Sequence, residues 1–204
     1  DIPIYVADNS ADVWSRPDLY ELGDDRLPTV IAGAPPDDLG PDGQRWGNPI
    51  YRWDRMKKEK YAWWAERVKR VLAQADVARI DHFRGFAAYW EIPATSQTAR
   101  EGRWAAGPGL PLFKSLKKQL GTLPIIAEDL GLITPDVVEL IEACGFPRMK
   151  VLCFAFGGDG THEYLPHNHV PNTIVYSTTH DTNTIRGWWD SATDRERHFA
   201  GSYL

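Results

Sequence analysis

Arg79-Ile80-Asp81-His82 is the stretch where residue types and spacing first suggest chemistry. Side chains in an extended segment alternate faces, so Arg79 and Asp81 point the same way and sit side by side. A neighbouring guanidinium favours the ionised form of a carboxylate, the form a nucleophilic carboxylate needs. A purely structural Arg–Asp pair at a strand end carries the same signature, so the rest of the chain has to decide. Two further acids occupy similar positions. Glu128 follows the apolar run Pro124-Ile125-Ile126-Ala127, and Asp181 comes shortly after Thr173-Ile174-Val175-Tyr176-Ser177.

Those acids need elements to position them. Val77–Ile80, Pro124–Gly131 and Thr173–Ser177 read as buried strands, and Met149–Phe156 is a further apolar run. Asp54 is a cap for a helix running to about Ala75. In that helix Tyr61, Trp64, Val68, Val71 and Ala75 form one apolar stripe at steps of three and four. Lys57, Lys58, Lys60, Lys69 and Arg70 fall on its solvated face. Leu112, Phe113, Leu116 and Leu120 mark a helix stopped by Gly121, and Thr134-Pro135 starts another that runs to Gly145. The order strand–helix–strand–helix–strand–strand predicts an α/β fold with a parallel sheet and crossover helices. No dinucleotide or phosphate glycine fingerprint follows any strand. In a (β/α)8 barrel, residues just past the strand ends converge on one mouth. Three carboxyl groups there suit glycosidic-bond chemistry, which needs a nucleophilic carboxylate and an acid to protonate the leaving oxygen.

The remaining segments are less regular. Ile2, Ile4 and Val6 predict an opening strand, and a domain that starts directly on a strand suggests a missing N-terminal part. Residues 8 to 53 read as a long loop, rich in Pro, Gly and Asp between Gly33 and Pro49. Loops of that length are usually functional or disordered. The interleaved Trp46, Tyr51 and Trp53 favour a loop folded over a site. Residues 87 to 109 read as a second long connection. Residues 157 to 172 hold His162, His167 and His169, where the abundance of Gly, Pro and Asn favours loop structuring over metal binding. The tail from Asp190 has no clear placement.

Composition narrows the partners. A net charge of −5 argues against nucleic acid or an anionic membrane surface. No apolar run reaches the length of a membrane span, and no signal-peptide pattern is present. Cys144 and Cys153 have no metal-site spacing and cannot build a disulfide framework, so a reducing compartment is expected. Nine tryptophans include Trp14, Trp46, Trp53, Trp104 and Trp188 in loops or at element ends. Core packing is the commoner role for such rings, but their flat faces also suit sugars.

Five motifs in order resemble one family. They are Asp1–Trp14 (DIPIYVADNSADVW), Gly43–Tyr51 (GQRWGNPIY), Arg79–Phe86 (RIDHFRGF), Ile126–Pro135 (IAEDLGLITP) and Thr179–Trp188 (THDTNTIRGW). They resemble the 4-α-glucanotransferases, or amylomaltases, of glycoside hydrolase family 77. The resemblance implies a retaining (β/α)8 TIM-barrel enzyme that needs no cofactor or metal. Its partners would be an α-1,4-glucan donor and a glucose or maltooligosaccharide acceptor. By motif position Asp81 would be the nucleophile, Glu128 the acid and then the base, and Asp181 with His180 the group holding sugar hydroxyls. Arg79 would steady Asp81, and Trp46 and His82 would contact the glucan.

Two departures stand out. The family more often has Thr-Gly-Thr-His-Asp-Asn-Asp-Thr where this chain has Ser177-Thr178-Thr179-His180-Asp181-Thr182-Asn183-Thr184. Its members are also much longer. Residues 1 to 204 would then be part of a single catalytic barrel, about strands three to seven, truncated at both ends and inactive or poorly folded alone. Bacterial cytoplasm or plastid stroma is the expected location. An α-amylase-clan hydrolase and a catalytically silent glucan-binding protein are the competing readings.

Overall fold

The computed structural model describes residues 1–37 and 40–204; Asp38 and Leu39, part of the stretch read as a loop, lie outside the described residues. The chain divides into two compact units, Asp1–Gly145 and Phe146–Leu204.

In the first unit the predicted strand at Asp81 is present as β3 (Ala78–Ile80), and the one before Glu128 as β6 (Ile125–Ala127). They pair in parallel with Ala78 opposite Ile125 and Ile80 opposite Ala127. Ile80 and Ala127 are fully buried. The expected opening strand is reduced to one parallel bridge, Ile2 to Ile80.

The stretches read as loops hold most of the unexpected structure. Residues 8 to 53 contain helix α1 (Ala11–Ser15) and strands β1 (Val30–Ala34) and β2 (Gln44–Pro49). The second expected connection contains β4 (Ala88–Pro93) and β5 (Arg103–Ala106). These strands form one antiparallel sheet in the order β2-β1-β4-β5. Gly33 makes its tightest contact possible: a Cβ there would lie 2.1 Å from the Gln44 carbonyl oxygen and 2.5 Å from Ile92. Trp46 and Trp104 therefore belong to strands rather than loops.

The long helix is two helices, α2 (Trp53–Lys58) and α3 (Ala62–Leu72). Lys60 and Tyr61 between them are left-handed, with φ of 54° and 56°, a conformation that breaks a right-handed helix. Asp54 lies in the first turn of α2, and no side chain caps that helix. Tyr61, Trp64 and Val68 are buried, as the stripe predicts, but α3 ends at Leu72, so Ala75 lies beyond it and is exposed. Helices α4 (Leu110–Leu120) and α5 (Pro135–Cys144) match their sequence signals, ending at Gly121 and at left-handed Gly145. Thr134 stands at the cap position of α5 without a side-chain capping bond. An aromatic cluster forms the core: Trp64 meets Phe86 at 5.2 Å, and Phe83 stacks on Phe113 at 5.1 Å between ring centroids. Truncating a buried ring of this size to Ala typically costs about 3–5 kcal/mol.

In the second unit β7 (Arg148–Val151) and β8 (Thr173–Tyr176) pair in parallel. The apolar run after Val151 continues as a 3-10 turn, Leu152–Gly157, instead of extending the strand. The tail forms α6 (Ile185–Ser191) and α7 (Asp194–Tyr203), the latter opened by a capping box between Thr193 and Glu196. The histidine-bearing segment is tied together by its rings. His167 bonds the Tyr203 hydroxyl at 2.6 Å, and His169 bonds the Tyr164 carbonyl at 2.9 Å.

Candidate active site

The β3–β6 register decides where two of the three acids go. Ile80 and Ala127 are partners, so Asp81 and Glu128 leave the ends of adjacent parallel strands at the same level. Neighbouring strands are roughly 4.8 Å apart. Both residues line one cleft of about 270 Å³, together with Tyr5, Trp46, Asn48 and His82.

Asp81 is held as its spacing predicts. Arg79 Nη1 is 3.1 Å from Asp81 Oδ1 and 2.8 Å from Asp1 Oδ2. The Arg79 side chain is only 11% exposed whereas that of Asp81 is 43% exposed. One guanidinium thus braces a carboxylate that stays open to the cleft.

Glu128 is in a different environment, 8% exposed. The backbone N–H of His82 donates to its Oε2 at 2.6 Å, and the N–H of Leu130 donates to its Oε1 at 2.6 Å. Burial pushes its pKa up and the Asp81 charge adds to that. The two N–H groups and Arg79 pull it down, and the net direction is up. Each donor follows from local backbone. His82 takes a left-handed conformation, φ 51° and ψ 50°, where the chain turns from β3 into the 3-10 turn Phe83–Phe86. The Phe83 N–H then bonds the Glu128 carbonyl at 3.0 Å.

His82 and Trp46 complete this side of the cleft. Their rings meet edge to face at 4.8 Å between centroids. Burial, with a smaller push from Arg84, lowers the His82 imidazole to about 4, so it is uncharged near neutrality. Trp46 is 37% exposed, which leaves ring surface for a ligand.

The third acid lies in the second unit. Asp181 and His180 sit in the loop after β8, with His180 Nε2 3.5 Å from Asp181 Oδ1. Thr179 and Thr182 shape that loop by bonding each other, N–H to hydroxyl at 3.0 Å and hydroxyl to carbonyl at 3.0 Å.

Sequence reasoning passed over Tyr5, Asn48, Arg84 and the Leu130 amide. Tyr5 lies between Ile4 and Val6 of the expected opening strand, where nothing in the pattern marks it for a site. Asn48 lies in a Gly-Asn-Pro run with no periodicity, and a backbone amide leaves no trace in side-chain pattern. Among the described residues no cluster of three or more His, Cys, Asp or Glu is arranged to hold a metal. No helix among them is long and apolar enough to cross a membrane. Cys144 and Cys153 are unpaired thiols, and burial raises the pKa of each.

Comparison with known proteins gives a consistent result. The sequence profile of the 4-alpha-glucanotransferase family matches residues 1–204. The chain is 48% identical over 204 residues to the chloroplastic/amyloplastic 4-alpha-glucanotransferase of Arabidopsis thaliana, covering all of this chain and 35% of that protein. It is 48% identical over 206 residues to the 4-alpha-glucanotransferase of Thermus thermophilus, covering 41% of that protein. Among solved structures, the amylomaltase of Streptococcus agalactiae in complex with acarbose matches with a TM-score of 0.94 at 45% identity, over 98% of this chain and 41% of that one. The chain thus spans well under half the length of these relatives. With the family profile matched from end to end, this chain belongs to the 4-alpha-glucanotransferase family.

Proposed function

We propose that a protein carrying this chain transfers α-1,4-glucan segments from a donor chain to the 4-hydroxyl of an acceptor sugar, by a retaining double displacement. The observation that carries this reading is the pair of carboxyl groups in one cleft, Asp81 against Arg79 and Glu128 buried with a raised pKa. A buried carboxyl with a raised pKa can serve as proton donor while a second carboxyl in the same cleft attacks.

In the first step the Asp81 carboxylate attacks C1 of the donor sugar. The bond from C1 to the leaving oxygen breaks, and that oxygen takes the Glu128 proton. The product is a glycosyl ester on Asp81 and a shortened glucan. In the second step the 4-hydroxyl of an acceptor gives its proton to the Glu128 carboxylate while its oxygen attacks C1. The ester bond breaks and Asp81 is regenerated. Two inversions give net retention. Trp46 offers a ring face to a glucan residue, and a neutral His82 contributes a hydrogen-bonding group beside it.

By motif position, Asp181 and His180 are ligands for sugar hydroxyls. In this reading residues 1 to 204 are part of a single (β/α)8 barrel. The plastid named for the Arabidopsis relative and the bacterial cytoplasm are the compartments that fit.

Maltotriose supplied to the full-length protein tests the reading. Glucose plus longer maltooligosaccharides, lost in Asp81→Asn, would support transfer through Asp81. Glucose and maltose without longer chains would make the protein a hydrolase. No turnover by wild type would make it a glucan-binding protein.

A further inference from the structure

Arg84 is a buried cation that the reaction above does not use. It lies in the turn after β3, is 7% exposed, and its guanidinium stacks over Trp104 at 4.0 Å from the ring centroid. Among the described residues no carboxylate comes within ion-pair distance, and its buried Nε has no hydrogen-bond partner. Burying a charge without an ion-pair partner among the described residues is costly; the Asp136 charge offsets part of that, and the position of Arg84 still needs an explanation.

The explanation lies in what its one directed bond connects. Arg84 Nη1 donates to the Leu132 carbonyl at 2.7 Å. Arg84 is two residues past His82, whose N–H binds Glu128 Oε2; Leu132 is two residues past Leu130, whose N–H binds Glu128 Oε1. The bond therefore ties together the two backbone segments that grip the carboxyl group. Past the buried Asp129, the second segment is open. Gly131 is left-handed, with φ of 88° and nothing within 4 Å of where a Cβ would stand, and Leu132 is 64% exposed. The Trp104 ring in β5 gives the guanidinium a second contact.

We infer that Arg84 is a positioning residue for Glu128, a cross-brace that keeps the His82 and Leu130 amides closed on its carboxyl group. This rests on the reading of Glu128 as the proton donor. A donor whose leaving group needs no proton escapes the requirement, and that separates this role from a general structural one.

The test compares kcat/KM of the full-length protein on maltotriose, whose leaving oxygen must be protonated, and on α-maltosyl fluoride, whose fluoride departs without that help. Arg84→Met is expected to lower kcat/KM on maltotriose by about 10- to 100-fold, the loss typical of a displaced catalytic group. It should leave the fluoride value nearly unchanged. Arg84→Lys, which keeps the charge and a donor, should fall between, and it carries the test by itself if Arg84→Met does not fold. Equal losses on both donors, or none, would overturn the role of Arg84. Glu128→Gln is measured alongside. A selective loss there with an unselective loss at Arg84 leaves Glu128 standing and rejects the brace. An unselective loss at Glu128 rejects the proton donor, and the brace with it.

Discussion

His82 is expected to make the protein acid-sensitive by an amount its surroundings allow us to work out. Its imidazole is lowered from 6.5 to about 4, first by burial and then by the Arg84 charge. Below 6.5 the unfolded chain therefore binds a proton at this position that the folded chain refuses. Linkage gives stability that rises with pH wherever the unfolded state holds more protons, so it falls as the pH drops from 6.5 toward 4. At about 1.36 kcal/mol per pKa unit, the 2.5-unit gap sets a ceiling of about 3.4 kcal/mol, of which about 2 kcal/mol is already lost at pH 5. His82→Asn removes the titration, keeps the backbone N–H that binds Glu128, and tolerates the left-handed conformation. Urea unfolding of the full-length protein, followed by tryptophan fluorescence near pH 7 and near pH 5, reads the difference. Wild type should lose about 2 kcal/mol more than His82→Asn over that interval. Parallel losses in the two proteins would refute the reasoning, because they would mean that His82 charges equally easily folded and unfolded.

Further expectations follow from other parts of the structure. Burial raises the Glu128 pKa, so the alkaline limb of kcat/KM on maltotriose should titrate above the 4.5 of an ordinary glutamate and vanish in Glu128→Gln. Trp46→Ala removes the exposed ring of the cleft and should lower kcat/KM on maltooligosaccharides by about tenfold, the worth of about 1–1.5 kcal/mol for an aromatic contact. Gly33→Ala would place a Cβ 2.1 Å from the Gln44 carbonyl oxygen. It should destabilise by about 1–3 kcal/mol, the usual cost of overpacking, and a fall in Tm checks it.

The two short strands that carry Asp81 and Glu128 were legible because each is an apolar run that ends in an acid. Parallel pairing then needed only the order of elements. What the sequence hid was the antiparallel sheet. Gln44-Arg45-Trp46-Gly47-Asn48-Pro49 has no alternation and ends in Gly, Asn and Pro, so its strand character comes from pairing with β1 and not from propensity. The same holds for Arg103–Ala106 against β4. The break at Lys60 and Tyr61 was hidden because it falls on two residues that are neither Gly nor Pro, so no breaker marks the left-handed turn. The capping box Thr193-Asp194-Arg195-Glu196 was a readable start signal for α7 that was passed over. At the site, Arg79 beside Asp81 was foreseeable from a two-residue step, whereas the grip on Glu128 was not. It depends on backbone amides from two segments 48 residues apart, one of them turned by a left-handed histidine.

The central claim is that Asp81 becomes covalently attached to the sugar during turnover. Incubating the full-length protein with a 5-fluoro-α-glycosyl fluoride, digesting it and locating the label by mass spectrometry tests this most directly. The account predicts one added sugar, on the peptide and on the residue Asp81, and none in Asp81→Asn. A label on Glu128 or Asp181, or steady release of fluoride without any labelled peptide, would contradict it.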